Sequence, residues 1–167
     1  LISPDVRTPY SGMLPGVVAG HYSEAEIHID LVPLCRFAGV RFIQAEVDAI
    51  DTLNNHVRLP GRPDLHYDVL SLDIGITPAI DDVSGARDFG IAVKPIGEFL
   101  QKWYAFLARV EAGNVTSVGF VGAGAGGLEL CLAVLHRLSR QGAARPVACH
   151  VFCDGTVVLP GYPLSVQ

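Results

Sequence analysis

The stretch that decides the fold is Val118-Gly119-Phe120-Val121-Gly122-Ala123-Gly124-Ala125-Gly126-Gly127-Leu128-Glu129, where an apolar run breaks into glycines and resumes with helical spacing. Gly122 permits a tight turn out of a strand, and Gly124 lets backbone N–H groups approach a pyrophosphate. Gly127 lets the next helix pack closely on the sheet. An anion binds at such a helix N-terminus without a basic side chain, because the first-turn N–H groups are unpaired and the helix dipole is positive there. The stretch predicts a dinucleotide-binding site in the glycine turn, defined as Gly122, Ala123, Gly124, Ala125, Gly126 and Gly127.

The segments on either side of the glycine turn support this prediction. Val115 to Val121 has the β-branched and aromatic content of a strand buried on both faces of a parallel sheet. Helical spacing follows at Leu128, Leu132, Leu135 and Leu138, and this helix is expected to end near Gly142. Pro146 to Phe152 then predicts the second strand of a β-α-β unit. In a chain with 18 glycines, the alternative is a glycine-rich turn without a ligand.

Composition limits the class of protein. The chain has 167 residues, of which 50% are hydrophobic, so we expect one ordinary domain or two small ones with a real core. A net charge of -5 without a Lys/Arg cluster argues against nucleic-acid binding. No apolar run is long enough for a transmembrane helix, and we expect a cytoplasmic chain.

Neither the cysteines nor the histidines form a chemical motif. The four cysteines, of which Cys149 and Cys153 are the closest pair, include no C-x-x-C, which favours a reduced compartment. No second ligand pair accompanies Cys149 and Cys153, so no metal site is expected. The histidines share no spacing, and none is assigned to catalysis.

The remaining segments predict a mixed α/β chain. Leu1 to Pro4 resembles the end of a strand, Thr8 to Gly20 predicts an ordered loop or broken helix, and the second part of Glu24 to Gly39 predicts a helix too apolar for the surface. The other predicted elements are strands at Val40–Phe42 and Ala45–Ile50, a hairpin return at His56–Leu59 after the Asn54-Asn55 turn, a strand at Tyr67–Gly75, a loop at Asp81–Gly90, and an amphipathic helix from Ile96 to Val110. Gly113-Asn114 ends that helix, and Trp103 and Phe106 are expected in the core.

Taken in chain order, these motifs resemble the pyridine nucleotide-disulfide oxidoreductase superfamily, flavoproteins with two dinucleotide-binding folds. The nearest likeness is to the type II NADH dehydrogenase-like branch, especially the oxidoreductase domain fused to selenide, water dikinase. The resemblance covers nearly the whole chain and rests on four segments: Thr8–Gly16, Tyr67–Gly75, Val93–Ile96 and Val121–Glu129.

The resemblance implies an α/β, Rossmann-like FAD/NAD(P)-binding fold with three layers and a small antiparallel hairpin insert. Residues 1–92 would form a partial FAD-binding domain without its first β-α unit, and residues 93–167 the linker helix and the N-terminal half of an NAD(P)-binding domain. Both dinucleotide domains would thus be incomplete, as in a fragment. Because the family's FAD pyrophosphate loop would precede Leu1, we expect weak or no FAD binding by these residues alone.

The resemblance also implies individual cofactor contacts. Val47 in the hairpin strand would offer its backbone to the FAD adenine, and Gly75 would match the glycine of the family's Ala-Thr-Gly signature. Asp73-Ile74 departs from that signature: a carboxylate there would repel a flavin phosphate, or would merely cap a local turn. Glu129 matches an acidic residue near the nicotinamide, although a solvated helix residue is the alternative.

Coenzyme choice would depend on Asp154. By the resemblance it lies after the second strand, where a carboxylate accepts hydrogen bonds from a ribose 2'-hydroxyl and repels a 2'-phosphate, so NADH is favoured over NADPH. More residues separate Asp154 from the glycine turn than is usual in the family, and the extra residues lie around Arg140 to Arg145. The alignment of Asp154 with the family's acidic residue therefore allows a slip of one position. Arg145 comes too early for an NADP clamp.

The implied function is an FAD-dependent NAD(P)H oxidoreductase, in which nicotinamide delivers hydride to flavin and the electrons pass to a quinone or another acceptor. The sequence lacks the C-x-x-C or C-x4-C of a dithiol reductase, and it identifies no catalytic residue. The alternative is a non-catalytic dinucleotide-binding or partner module associated with selenophosphate synthesis. The resemblance also allows a homodimer and an association with selenide, water dikinase.

Overall fold

The structure is a computed structural model that describes residues 1–78, 80, 83–141, 145–159 and 161–163. Contacts divide the chain into a first unit, Leu1–Tyr10 with His28–Thr77, and a second unit, Ser11–Ile27 with Pro78–Gln167. The predicted domains 1–92 and 93–167 differ from this division because residues 11–27 and 78–92 pack with the second unit. The predicted limits themselves stay a prediction.

The described elements alternate between short strands and helices. The strands are β1 (Ile2–Ser3), β2 (Arg7–Pro9), β3 (His28–Asp30), β4 (Ile43–Gln44), β5 (Ala49–Asp51), β6 (His56–Arg58), β7 (Leu65–His66), β8 (Ser117–Val121) and β9 (Ala148–Phe152). The helices are α1 (Leu14–Ala19), α2 (Leu31–Phe37), α3 (Ala86–Phe89), α4 (Ile96–Glu111) and α5 (Ala125–Arg140). Short 3-10 turns precede α1 at Ser11–Met13 and β3 at Ala25–Ile27.

Three small sheets form the first unit. β1 pairs in parallel with β4, β2 pairs antiparallel with β3, and β5, β6 and β7 form an antiparallel sheet in that order. The turn from β5 to β6 is built by Asp51, whose carboxylate accepts from the N–H of Leu53 at 3.0 Å and that of Asn54 at 3.1 Å. Asn55 closes the turn in the left-handed region at φ 55°, which asparagine tolerates better than most residues.

In the second unit, β8 and β9 are parallel and α5 connects them. Their register runs from Ser117 opposite Ala148 to Val121 opposite Phe152, as a β-α-β unit requires. α4 buries the face that carries Phe99, Leu100, Trp103 and Leu107 in the main core, together with residues of α1 and α5. The predicted amphipathic helix, its core Trp103 and the β-α-β order are confirmed.

Two predicted strands are wrong. Residues 67–75 form no strand, although the apolar run predicted one; Val69 and Ile74 are largely exposed instead. Residues 40–42 also lie outside any strand, and the pairing occurs one residue later, at β4. An extended apolar segment becomes a strand only where a neighbour offers backbone partners, and tertiary packing decides this.

Burial of the helices also differs from expectation. α2 occurs where predicted, yet Phe37 is 91% exposed and only Leu31 and Cys35 are buried. On α5 the buried face carries Leu130, Cys131, Ala133 and Val134, whereas Leu132 and Leu135 are exposed. The helix predicted from the leucine spacing is confirmed, and its buried face is filled by alanine and cysteine as well as leucine.

Part of the predicted Asp81–Gly90 loop is helical, at α3 (Ala86–Phe89). Asp81, Asp82 and the expected helix end at Gly142 lie outside the described residues. α5 itself ends at Arg140, with Gln141 as the C-terminal cap. Among the described residues, no helix is long and apolar enough to cross a membrane.

Candidate functional site

The glycine turn begins where β8 ends, at the carboxyl edge of the parallel pair. The N–H of Gly122 donates to the carbonyl oxygen of Phe152 at 2.8 Å, so the turn is attached to the last residue of β9. Gly122 has φ 107°, a region that side-chain-bearing residues rarely adopt. The carboxyl edge of parallel strands is where ligands of open α/β sheets bind.

A second backbone contact supports the turn from the chain that follows β9. The N–H of Leu159 donates to the carbonyl oxygen of Ala123 at 2.8 Å, and both residues are buried. Leu159 was not among the site residues that the sequence predicted. The apolar Val157–Leu159 run suggests burial, but the partner of a backbone N–H becomes known only from the tertiary structure.

Close packing explains the last glycine of the turn. A Cβ on Gly127 would overlap the carbonyl oxygen of Gly122 and lie 3.2 Å from its carbonyl carbon. A Cβ on Gly126, by contrast, meets nothing within 4 Å. Gly127 thus permits the first turn of α5 to lie against the end of β8, as the sequence predicted.

The N-terminus of α5 is open to an anion. Gly124 occupies the N-cap position without a side-chain cap, and the first turn contains no acidic residue. Gly124, Ala125 and Gly126 are exposed. The helical hydrogen bonds begin with the Leu128 N–H, which donates to the Gly124 carbonyl oxygen at 3.0 Å. The preceding N–H groups and the positive end of the helix dipole therefore face a position suited to a pyrophosphate.

Two predicted acidic residues lie near this edge in the fold. Asp154 is exposed and follows the end of β9 by two residues, on the edge that carries the glycine turn. Glu129 is exposed on α5, one turn after its start. The nucleotide-binding roles of both residues stay predictions.

The two predicted FAD contacts belong to the first unit. Val47 is exposed and precedes β5 by two residues, so its expected place within a hairpin strand is wrong. The pairing with β6 begins next to it, where the Asp48 N–H donates to the Arg58 carbonyl oxygen at 3.0 Å. Gly75 has φ 73° and open space around it, in a segment without regular structure.

An apolar cavity of about 570 Å³ adjoins the glycine turn within the second unit. Its lining includes the aromatic face of α4, the side of β8 and the start of α5, represented by Trp103, Phe106, Phe120 and Gly127. The sequence predicted Trp103 and Phe106 as core residues and gave no sign of a cavity beside them. Its apolar lining suits a planar or hydrocarbon group rather than an ion.

Two cysteines of the second unit, Cys131 and Cys149, are poor nucleophiles. Burial raises the pKa of Cys131, and burial together with the nearby Cys131 thiol raises that of Cys149, so both thiols stay protonated at neutral pH. The exposed Cys153 donates its S–H to the Gly155 carbonyl oxygen at 3.1 Å. In the part of the chain that the structure describes, no three His, Cys, Asp or Glu side chains group as a metal site.

No protein-family model matches the sequence, and no curated protein is significantly similar to it. Solved structures that match the chain in fold include several oxidoreductases. The chain matches NDH2 of Plasmodium falciparum in complex with NADH with a TM-score of 0.84 and 17% identity, over 100% of this chain and 39% of that one. The sulfide:quinone oxidoreductase of Aquifex aeolicus matches with a TM-score of 0.67 and 20% identity, over 88% of this chain and 35% of that one.

A third structure, an NAD-dependent persulfide reductase from A. fulgidus, matches with a TM-score of 0.64 and 17% identity, over 92% of this chain and 28% of that one. The chain therefore spans about two fifths of the length of NDH2 and less of the other two. At these identities the likeness shows the fold. It confirms the predicted α/β fold shared with this group of oxidoreductases.

Proposed function

We propose that the second unit binds NADH at the glycine turn, and that the chain is part of an FAD-dependent NAD(P)H oxidoreductase of the pyridine nucleotide-disulfide oxidoreductase superfamily. The observation that carries the proposal is the open, uncapped N-terminus of α5 at the carboxyl edge of β8 and β9, attached by the Gly122–Phe152 hydrogen bond. The match to NDH2 in complex with NADH supports the choice of ligand.

In this proposal different parts of the protein bind the pyrophosphate and the adenosine ribose of NADH. First-turn N–H groups of α5 donate to the pyrophosphate, for which the chain needs no basic residue. The Asp154 carboxylate accepts from the adenosine ribose hydroxyls and repels a 2'-phosphate. Glu129 lies on the nicotinamide side and contributes negative charge there.

The first unit would hold FAD through the Val47 backbone and Gly75. When bound, the two cofactors would supply hydride transfer from nicotinamide to flavin, and the protein would bind and orient the two rings. The matching structures include a sulfide:quinone oxidoreductase and an NADH:rubredoxin oxidoreductase, which supports a quinone or another redox partner as acceptor. The type II NADH dehydrogenase-like branch remains the proposed affiliation.

The finer architecture belongs to the same proposal. The antiparallel β5, β6 and β7 sheet would be the hairpin insert of the FAD-binding domain, and residues 1–92 and 93–167 would belong to incomplete FAD and NAD(P) domains in a three-layer arrangement. A homodimer is compatible with this assignment.

Titration with NADH tests the site directly. Trp103 is the single tryptophan and belongs to the second unit, so its fluorescence should fall as bound nicotinamide accepts its excitation energy. Gly124→Asp places a carboxylate where the pyrophosphate would bind, and a Cβ there meets nothing within 4 Å, so we expect a folded protein with at least ten-fold weaker binding.

Gly97→Asp is the matched control, because Gly97 is an exposed glycine of α4 with equally open surroundings. It adds the same charge to the same unit on a different helix and should leave NADH binding unchanged. Equal NADH affinity in the wild type and Gly124→Asp would refute the proposed site.

Coenzyme choice is tested separately with Asp154→Asn. Loss of the carboxylate should weaken NADH binding and narrow the preference for NADH over NADPH by about ten-fold, the value of one charge-assisted hydrogen bond. Glu46→Gln removes an exposed carboxylate from the first unit and is the control. A wild type that prefers NADPH would show that Asp154 is misassigned.

Flavin reduction separates the enzyme from the alternative of a non-catalytic module associated with selenide, water dikinase. The chain is mixed with FAD, and NADH is then added without oxygen. Bleaching of protein-bound flavin supports the oxidoreductase, whereas NADH binding to a chain whose bound flavin stays oxidised supports the binding module.

A further inference from the structure

The antiparallel sheet of the first unit brings two histidines together. His56 on β6 lies directly opposite His66 on β7, and their ring centroids are 5.4 Å apart with the ring planes at 75°. Neither residue belongs to the proposed dinucleotide-binding site. Sequence spacing does not indicate the pair, because His56 and His66 meet only through the register of the two strands.

The register explains why the two imidazoles are close. The Tyr67 N–H donates to the Asn55 carbonyl oxygen at 2.9 Å, and pairs along an antiparallel ladder alternate between hydrogen-bonded and non-hydrogen-bonded. The next pair, His56 with His66, is therefore non-hydrogen-bonded, the class whose side chains lie closer together. Val57 is buried on the opposite face, so the imidazoles are on the face that solvent reaches.

We propose that His56 and His66 form a two-imidazole site for a divalent transition-metal ion, with Zn²⁺ as the reference ion. Nitrogens about 2.0–2.1 Å from zinc place each ring centroid about 3.2 Å from the ion, and the tetrahedral angle then separates the centroids by about 5.2 Å. The observed separation of 5.4 Å is close to that value. The steep angle between the rings keeps two imidazoles on one ion from colliding.

The charges that face the pair favour a cation. Asp51 of β5 lies opposite His56 in register, and its hydrogen bonds to Asn54 hold its pKa below the ordinary value, so it is ionised at neutral pH. The Arg58 guanidinium is 4.0 Å from the Asp64 carboxylate, which offsets its positive charge. The described charges on this face of the sheet thus favour binding of a positive ion.

The chemistry of the site selects its ligand. Imidazole suits Zn²⁺, Cu²⁺ and Ni²⁺, whereas Mg²⁺ and Ca²⁺ require oxygen ligands. Asp51 already accepts from the N–H groups of Leu53 and Asn54, so it contributes charge while water fills the remaining positions on the ion. Because the protein supplies only two ligands, we expect zinc to bind reversibly and more weakly than at a four-ligand structural zinc site.

Titration with zinc chloride, followed by ¹⁵N NMR of the imidazole rings, tests the proposal. The protein carries Cys153→Ser, because an exposed thiol competes for zinc. We expect the His56 and His66 ring signals to shift together in a single saturable step. His56→Ala and His66→Ala should each weaken zinc binding at least ten-fold, with unchanged circular dichroism.

The matched control is His150→Ala, which removes a histidine of the second unit and should leave zinc affinity unchanged. Magnesium chloride should shift neither ring. Independent shifts of the two rings, or full zinc affinity in either alanine variant, would overturn the proposal.

Discussion

The glycines of the glycine turn are required for different physical reasons. Gly122 needs its positive φ, and Gly127 needs the absence of a Cβ because the Gly122 carbonyl lies against it. Gly126 has neither constraint in the protein. A fingerprint read as one motif therefore divides into positions fixed by backbone conformation, by packing and by the approach of a ligand.

This difference predicts opposite effects of one methyl group. Gly127→Ala should destabilise the protein by about 1–3 kcal/mol, because the helix must move away from β8. Gly126→Ala should be neutral or stabilise it by about 0.4–1 kcal/mol, because alanine loses less backbone entropy in a helix. Urea unfolding of both variants measures the difference, and equal stabilities would contradict the close packing.

At the scale of elements, helix α5 shows how burial is distributed around a helix. Leu130 belongs to the core cluster, whereas Leu132, two residues later, is 58% exposed. Residues two apart point to different sides of a helix, so the two leucines offer one side chain in two environments.

Leu130→Ala should therefore cost about 2–5 kcal/mol, the range for truncating a buried leucine. Leu132→Ala should change the free energy of unfolding by less than about 0.5 kcal/mol, as surface substitutions do. Thermal or urea unfolding of the two variants measures both changes in the free energy of unfolding. A larger loss for Leu132→Ala would show that the leucine spacing, rather than the structure, identifies the buried face.

The β5 to β6 turn depends on one ionised carboxylate. Hydrogen bonds from Asn54 lower the pKa of Asp51 from 3.8. Because the folded pKa is depressed, the stabilisation is complete above the unfolded pKa and is lost as the pH falls through the folded one.

The wild type should consequently lose more stability between about pH 5 and pH 2 than Asp51→Asn, whose side chain does not titrate in this range. Asp68→Asn, at an exposed carboxylate of the same unit, should retain the wild-type pH profile. Acid dependence of the urea midpoint provides the measurement. Identical profiles for the wild type and Asp51→Asn would eliminate this role of the carboxylate.

At the scale of the molecule, the proposed ligand sites separate by unit. The glycine turn and the apolar cavity belong to the second unit, whereas Val47, Gly75 and the histidine pair belong to the first. Each unit has its own buried residues, for example Val57 in the first and Leu100 in the second.

NADH should therefore protect the second unit. When the NADH concentration is 100 times the dissociation constant, binding should stabilise the folded state by about 2.7 kcal/mol. Hydrogen exchange should slow at residues 122–128 and in β8 and β9, with little change in the β5, β6 and β7 sheet. Protection confined to the first unit would contradict binding at the glycine turn.

The sequence by itself determined the β-α-β unit, the position of the glycine turn and the amphipathic character of α4. Those features depend on local causes: apolar periodicity, glycine conformations and helix-ending residues within a few positions of one another. For the same reason the sequence predicted Gly122 and Gly127 with their physical roles.

Only the tertiary structure decided which apolar segments are paired or buried. Residues 67–75 have strand composition without a strand, Leu159 supports the glycine turn from 36 residues beyond Ala123, and His56 meets His66 through strand register. Backbone hydrogen bonds between strands, side-chain burial and cross-strand pairs all depend on partners distant in the chain. Local composition limits these partners, and packing selects among them.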